Sequence, residues 1–177
     1  IENKINLKEY IDYRYNESLK EVELLDTDTF ATKEKRKITW IQWIIVIVAA
    51  AGLNILFSAL MSFLVSDYGI TSESQDALLS SRMLFQILGM GIAVPVTEEL
   101  IFRGLVYRKL ERYVSVKKAV LLGAAIFAVY HGNLLQILFA FPMGIILNLL
   151  YHRYEDLRVP ILFHAVSNLM AVLLTAI

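Results

Sequence analysis

The 177-residue chain contains no cysteine, so it can form neither a disulfide framework nor a thiolate metal site. It also has no net charge, because 17 Lys and Arg residues balance 17 Asp and Glu residues. A chain without a basic excess gives no reason to expect nucleic acid as a partner. The sequence has no internal repeat and no low-complexity tract, which leaves no sign of a repeat architecture.

Charge is scarce in most of the chain. Residues 1–37 hold 17 of the 34 charged residues, whereas residues 38–65 hold none. The chain is 57% hydrophobic, above the roughly 45–50% that is usual for soluble domains. Twenty helical residues already cross about 30 Å of bilayer. The sequence therefore predicts an all-α fold, a polytopic transmembrane helix bundle over 38–177, preceded by a polar cytoplasmic segment over 1–37.

Five apolar segments follow the polar one, at 38–65, 78–102, 119–130, 134–151 and 159–177. The third and fourth are predicted to form a hairpin, or one helix broken at Gly132. By the helical rise of 1.5 Å, His131 lies about 20 Å along its helix from Lys118. It is therefore predicted to lie deeper in the membrane than Glu98, which is near the end of its own helix. This difference in depth requires either a tilted helix or a different helix boundary.

The loops differ in charge. Basic residues cluster at 33–37, 103–118 and 152–158, whereas the loop at 66–76 carries acidic residues and no basic one. By the positive-inside rule, we expect the three basic clusters on the cytoplasmic side and the acidic loop outside. Glu98 and Glu99 would then lie near the cytoplasmic end of their helix.

Two adjacent carboxylates, Glu98 and Glu99, follow an almost entirely apolar run. A carboxylate at the centre of a membrane helix costs about 2.5–3.5 kcal/mol, so it is rarely kept without a role. Neighbours on a helix point about 100° apart, and Glu99 lies four residues before Arg103, in the favourable order for an ion pair. We therefore expect Arg103 to hold Glu99 while Glu98 faces a polar cavity. Pro95 removes a backbone donor, so the carbonyl that it leaves free needs another partner.

Two later segments carry further polar residues. His131 follows Phe127 by four residues, and Asn168 follows His164 by four. Each feature has a structural alternative, because histidines pack and membrane asparagines hold helices together. Sites in the cores of helix bundles are, however, built from polar groups that several helices direct inward, as these three segments are expected to do. The coincidence favours a functional site.

Three short motifs occur in order on consecutive apolar segments: EExxxR at 98–103, FxxxH at 127–131 and HxxxN at 164–168. In this order they resemble the CPBP family of intramembrane proteases, which includes CAAX proteases and bacteriocin-processing enzymes and is also called the Abi family. The resemblance covers about residues 80–177. It implies hydrolysis of a membrane-associated peptide or protein near the cytoplasmic face of a lipid bilayer, in the cell membrane of a bacterium.

The resemblance also implies a role for each motif residue. Glu98 would activate a water as the general base, and His131 would assist proton transfer. His164 and Asn168 would stabilise the oxyanion of the tetrahedral intermediate. The remaining motif residues would support these groups: Glu99, Arg103 and Phe127.

Zinc is the alternative cofactor, because Glu98, His131 and His164 could form a His₂Glu ligand set. Zinc would lower the pKa of a bound water to about 7. If Glu98 were a ligand, however, no other carboxylate would be placed as the base, since Glu99 is expected to turn toward Arg103. The segments around both histidines also offer few acceptors to orient the rings. We therefore expect a site that works without a cofactor.

Two other function classes remain open. A proton-relay transporter would use Glu and His chains, but it would need polar groups that continue to both faces of the membrane. A non-catalytic bacteriocin immunity or binding protein could carry the same residues. Prenylated CAAX ends, leader peptides and signalling peptides all suit a site reached from lipid.

Overall fold

The computed structural model describes residues 37–68, 82–132 and 134–175, in which the chain forms helices and no strand. The helices are α1 (Trp40–Tyr68), α2 (Met83–Leu110), α3 (Val116–Tyr130), α4 (Leu134–Tyr154) and α5 (Arg158–Thr175). The predicted all-α class is confirmed. The polar segment predicted over 1–37 lies outside the described residues except for Lys37, and so does most of the acidic loop predicted over 66–76.

Among the described residues, three helices are long and apolar enough to cross a membrane: Trp40–Leu60 within α1, the whole of α2 and the whole of α4. The apolar helix α5 is shorter. Large apolar side chains cover the outside of α1, where Trp40 and Val48 are 71% and 65% exposed. Such a helix is apolar on its exposed face as well as its packed one, as expected when the surrounding solvent is lipid.

The core of the bundle lies where α1, α4 and α5 meet. Val46 and Ala50 of α1 pack against Met143 and Leu147 of α4 and against Phe163 of α5. The Ser167 hydroxyl of α5 also donates a hydrogen bond to the Ala50 carbonyl at 3.3 Å. α5, which carries the HxxxN motif, is thus packed against two membrane-capable helices.

α3 and α4 form a tightly packed hairpin. Gly132 stands between them with a φ of +67°, a conformation that glycine adopts without steric cost. Of the two predicted alternatives, the hairpin is therefore confirmed, and Gly132 lies in its turn. The helices approach so closely that a Cβ at Gly144 would lie 3.0 Å from the Cα of Ala124.

The predicted end of the second segment at residue 102 is wrong, because α2 continues to Leu110. Arg103 does not begin a solvated loop: its side chain is fully buried. The extension also removes the difference in depth. Glu98 lies roughly 18 Å before the end of α2, and His131 lies about 22 Å from the start of α3 at Val116, by the helical rise. Glu98 is thus farther from its helix end than the sequence predicted.

α2 is not a uniform α-helix. It is π-helical over Gln86–Ala93 and again over Phe102–Tyr107, and an α-helical stretch, Val94–Ile101, lies between them. π-helical turns inside α-helices are frequent at functional sites. In this chain they enclose the stretch that carries both glutamates.

Candidate active site

Arg103 is held by three helices. Its Nη1 donates to Glu99 Oε1 at 2.9 Å, and both side chains are fully buried, so the predicted ion pair is present. Its Nε donates to Asn148 Oδ1 at 3.2 Å, and its Nη2 donates to the Gly144 carbonyl at 3.3 Å. The guanidinium carbon lies 4.4 Å from the centre of the Phe127 ring. Arg103 therefore connects α2 to both helices of the hairpin.

His164 lies between the two glutamates. Its Nδ1–H donates to Glu99 Oε1 at 2.8 Å, while its Nε2 lies 3.8 Å from Glu98 Oε2. The prediction that Glu99 turns toward Arg103 alone is thus incomplete, because one carboxylate oxygen serves both Arg103 and His164. Glu98 is the more open of the two carboxylates, with 12% of its side chain exposed against 0% for Glu99.

Phe127 brings the two histidines of the site together. The His131 Nδ1–H donates to the Phe127 carbonyl at 2.9 Å. A carbonyl can only accept, so the neutral ring carries its proton on Nδ1 and keeps a lone pair on Nε2. The Phe127 ring meets the rings of His131 and His164 edge to face, at centroid distances of 4.9 Å and 5.9 Å. Both histidines lie within electrostatic range of Glu98.

Asn168 takes the carbonyl that Pro95 leaves free. In the π-helical stretch the Val94 N–H donates to the Gly89 carbonyl, five residues back. The next donor in this ladder would be residue 95, which as proline has no N–H to offer the Met90 carbonyl. The Asn168 Nδ2 donates to that carbonyl instead, at 2.9 Å. The expectation that the carbonyl needs another partner is confirmed, and one N–H of Asn168 is engaged in this way.

One residue of this network was not predicted from the sequence. Asn148 in α4 is 1% exposed and contacts Arg103 directly. The available signal was an amide inside an apolar helix, where a polar side chain needs a partner on another helix. Asn148 also lies one turn after Gly144, so both partners of Arg103 on α4 share one helical face.

The histidines are better oriented for metal binding than predicted. The expected scarcity of acceptors is wrong, because the Phe127 carbonyl orients His131 and Glu99 orients His164. Nevertheless, in the part of the chain that the structure describes, no three His, Asp or Glu side chains are grouped so that they could hold a metal ion. Glu98, His131 and His164, the alternative ligand set for zinc, therefore do not form such a group.

Two curated proteins resemble this chain over much of its length. The "Putative membrane peptidase YdiL" of Bacillus subtilis (strain 168) is 29% identical over 116 residues, which are 64% of this chain and 48% of that protein. The "UPF0177 protein YajF" of Lactococcus lactis subsp. lactis (strain IL1403) is 27% identical over 132 residues, 72% of this chain and 64% of that protein. The chain thus spans about half to two thirds of the length of these curated relatives. No solved structure matches it.

The family comparison covers the whole candidate site. The model of the family described as "Type II CAAX prenyl endopeptidase Rce1-like" matches residues 80–170, which include all three motifs. Three helices that can cross a bilayer agree with this membrane peptidase family. The chain is therefore a membrane protein that belongs to the Rce1-like family of type II CAAX prenyl endopeptidases.

Proposed function

We propose that this chain is an intramembrane endopeptidase that hydrolyses a peptide bond of a membrane-associated peptide or protein, with Glu98 activating the water. The observation that carries the proposal is the facing pair of Glu98 Oε2 and His164 Nε2, 3.8 Å apart. Glu99 holds the other nitrogen of the same ring at 2.8 Å. This arrangement gives one carboxylate a reactive position and the other an orienting one.

The space between Glu98 and His164 suits a water molecule. A separation of 3.8 Å is too long for a direct hydrogen bond, and polar contacts of this length are commonly bridged by water. Glu98 Oε2 has no hydrogen-bond partner within the described residues. In the proposed step a water O–H bond breaks, the proton passes to Glu98, and the water oxygen bonds to the substrate carbonyl carbon. The carbonyl electron pair moves onto oxygen and forms the oxyanion.

Charge balance favours His164 as an oxyanion donor. Its Nδ1–H already points at Glu99, so donation from Nε2 requires protons on both ring nitrogens. The resulting imidazolium and Arg103 carry two positive charges beside the two carboxylates. Such a site is electrically neutral before the oxyanion forms, which suits a region of low dielectric. Donors of this kind contribute about 2.7–4 kcal/mol each to transition-state stabilisation.

His131 and Asn168 complete the reaction. The Nε2 lone pair of His131 can accept the proton that Glu98 took from the water and pass it to the leaving amine, which restores the Glu98 carboxylate. Asn168 uses one amide N–H on Met90, and its second N–H can donate to the oxyanion. The tetrahedral intermediate then collapses, the C–N bond breaks, and the amine leaves with the transferred proton.

The test is cleavage by purified protein in liposomes, with Glu98→Gln as the matched control. The probes are a farnesylated CAAX peptide, its non-prenylated counterpart and an apolar leader-like peptide, and products are identified by mass spectrometry. In ¹⁸O-labelled water, we expect one new carboxylate that carries the label, formed by the wild type and not by the variant. If no probe is cleaved above the level of Glu98→Gln, hydrolysis is rejected in favour of a binding or immunity protein.

We further propose a multi-pass arrangement in a bacterial cell membrane, with the loop between α2 and α3 in the cytoplasm. Five basic residues at and beside this loop support it, Arg108, Lys109, Arg112, Lys117 and Lys118. Because the chain has no native cysteine, a single Lys117→Cys variant reports on this loop alone. Labelling from the cytoplasmic side only is expected, and labelling from the outside only would overturn the topology.

A further inference from the structure

Asn148 lies at the point where α2, α3 and α4 meet. Its Oδ1 accepts from Arg103 Nε at 3.2 Å, and its Nδ2 donates to the Val120 carbonyl at 3.0 Å. We infer that Asn148 is a positioning residue that acts through Arg103 on the Glu99–His164 pair. This inference rests on the proposed function for its catalytic meaning, while the contacts that carry it are independent of any reaction.

The path from Asn148 to His164 consists of direct contacts. The guanidinium is planar and rigid, so partners on Nε and Nη2 also determine the direction of Nη1. Asn148 and the Gly144 carbonyl supply those two partners, and Nη1 then meets Glu99 Oε1 at 2.9 Å. The same oxygen accepts the Nδ1–H of His164. A rotated guanidinium would therefore displace the oxygen that orients the His164 ring.

α3 fixes which way the Asn148 amide faces. The Val120 carbonyl can only accept, so it must meet the NH₂ end, and the amide oxygen is then directed at Arg103. The reversed amide would place donors against the guanidinium. Gly123, one turn after Val120, leaves the room for this arrangement, since a Cβ there would lie 2.9 Å from Asn148 Nδ2 and 3.6 Å from Cγ.

The competing explanation is that Asn148 only holds helices together, as asparagine often does in membranes. A residue with that role would lower stability when replaced, without altering His164 in the folded protein. A positioning residue would change the environment of the His164 ring and lower kcat. The chain offers a matched control in Asn54 of α1, which is 2% exposed and whose Oδ1 accepts from Ser58 at 3.4 Å.

The first experiment compares Asn148→Leu with Asn54→Leu by ¹⁵N NMR of histidine-labelled protein in detergent. The chain has only three histidines, so His164 is assigned by the signal lost in His164→Gln. We expect the His164 Nδ1 signal to move in Asn148→Leu and to stay in place in Asn54→Leu. An unmoved signal in folded Asn148→Leu would overturn the inference.

The second measurement is cleavage of the farnesylated CAAX peptide. Small misplacements of catalytic groups can cost up to about 100-fold in rate, so we expect kcat to fall about 10- to 100-fold in Asn148→Leu with KM unchanged. Asn54→Leu should retain the wild-type kcat. A movement of His164 together with an inactive wild type would sink the proposed hydrolysis and leave the positioning of the pair intact, so the two failures are distinguishable.

A double-mutant cycle covers the case in which Asn148→Leu does not fold. Gly123→Ala adds one methyl against the amide, and we expect it to move the His164 signal in the wild-type background. In an Asn148→Ala background the methyl meets no amide, so the same substitution should have no further effect. Such non-additivity is the sign of direct coupling between the two positions. Additive effects in the cycle would contradict the inference.

Discussion

Two regions of the polar interior differ in how closed they are. Around Arg103 the guanidinium donates to Glu99, Asn148 and Gly144, and no part of its side chain is exposed. Within the described residues, Glu98 Oε2 and Glu99 Oε2 both lack a hydrogen bond, but the Glu99 side chain is fully buried whereas 12% of the Glu98 side chain is exposed. We therefore assign stability and orientation to the closed region around Arg103, and the reaction to the region around Glu98, which a substrate can reach.

Replacement of Glu98 should separate the two regions most clearly. Glu98→Gln keeps the shape of the side chain and removes the base, which typically contributes about 10²- to 10⁴-fold to the rate. Because Oε2 has no partner to lose, we expect an unchanged thermal unfolding midpoint together with loss of peptide cleavage. If Glu98→Gln unfolds at a clearly lower temperature than the wild type, the division into two regions fails.

Replacement of Glu99 should have the opposite character. Glu99→Gln leaves Arg103 buried without its counterion, and breaking a buried pair in this way costs about 3–5 kcal/mol. We expect a lower free energy of unfolding in denaturant titrations, together with weaker cleavage, since His164 loses a charged acceptor. Lys109→Gln is the control, because Lys109 is exposed and its ammonium lies 5.7 Å from the centre of the exposed Tyr113 ring. A cation–π contact at an exposed site contributes only about 0.5–1 kcal/mol, so the control should unfold almost as the wild type does.

Asn168 has a structural contact with α2 as well as its proposed catalytic role, and a pair of variants can separate the two. Asn168→Leu leaves the partly buried Met90 carbonyl without its partner, at a cost of up to about 1–3 kcal/mol. Pro95→Ala restores a backbone N–H that can reach the same carbonyl. In the double variant we therefore expect stability to recover while cleavage stays low. Recovery of cleavage as well would show that Asn168 acts only on the helix.

The smallest effect is expected from metal removal. The described residues assemble no group of three His, Asp or Glu side chains for an ion, so a chelator should leave cleavage of the peptide unchanged. Elemental analysis of the active preparation should then show far less than one zinc per chain. Near-stoichiometric zinc whose removal stops cleavage would contradict this prediction, and it would assign Glu98 to a different role.

The sequence predicted contacts within a helix better than contacts between helices. The pairing of Glu99 with Arg103 follows from a spacing of four residues, and the turn at Gly132 follows from composition. The contact of Arg103 with Asn148 joins residues 45 positions apart, and no helical period contains that information. The predicted end of α2 before Arg103 was based on the charge of that residue. A charge count does not include the partners on α4 that allow Arg103 to be buried.

The sharing of Glu99 was missed for a related reason. Helix geometry places Glu98 and Glu99 about 100° apart, and it says nothing of which one a distant histidine will reach. The two π-helical stretches also have no simple sequence signature. They change the direction of every side chain that follows them, so the orientation of this part of α2 becomes known only from the packed structure.

The π-helical stretches determine where α2 can tolerate the deletion of a single residue. A π-helical turn holds more residues than an α-helical one, so the loss of one residue from Gln86–Ala93 can return that turn to ordinary α-helix without interrupting α2. Val94–Ile101 is already α-helical, so it holds no extra residue whose loss it could absorb. The same deletion there rotates the residues on either side by about 100° relative to each other. Single-codon deletions should therefore be far better tolerated in the first stretch than between Pro95 and Glu99, although both stretches belong to one continuous helix.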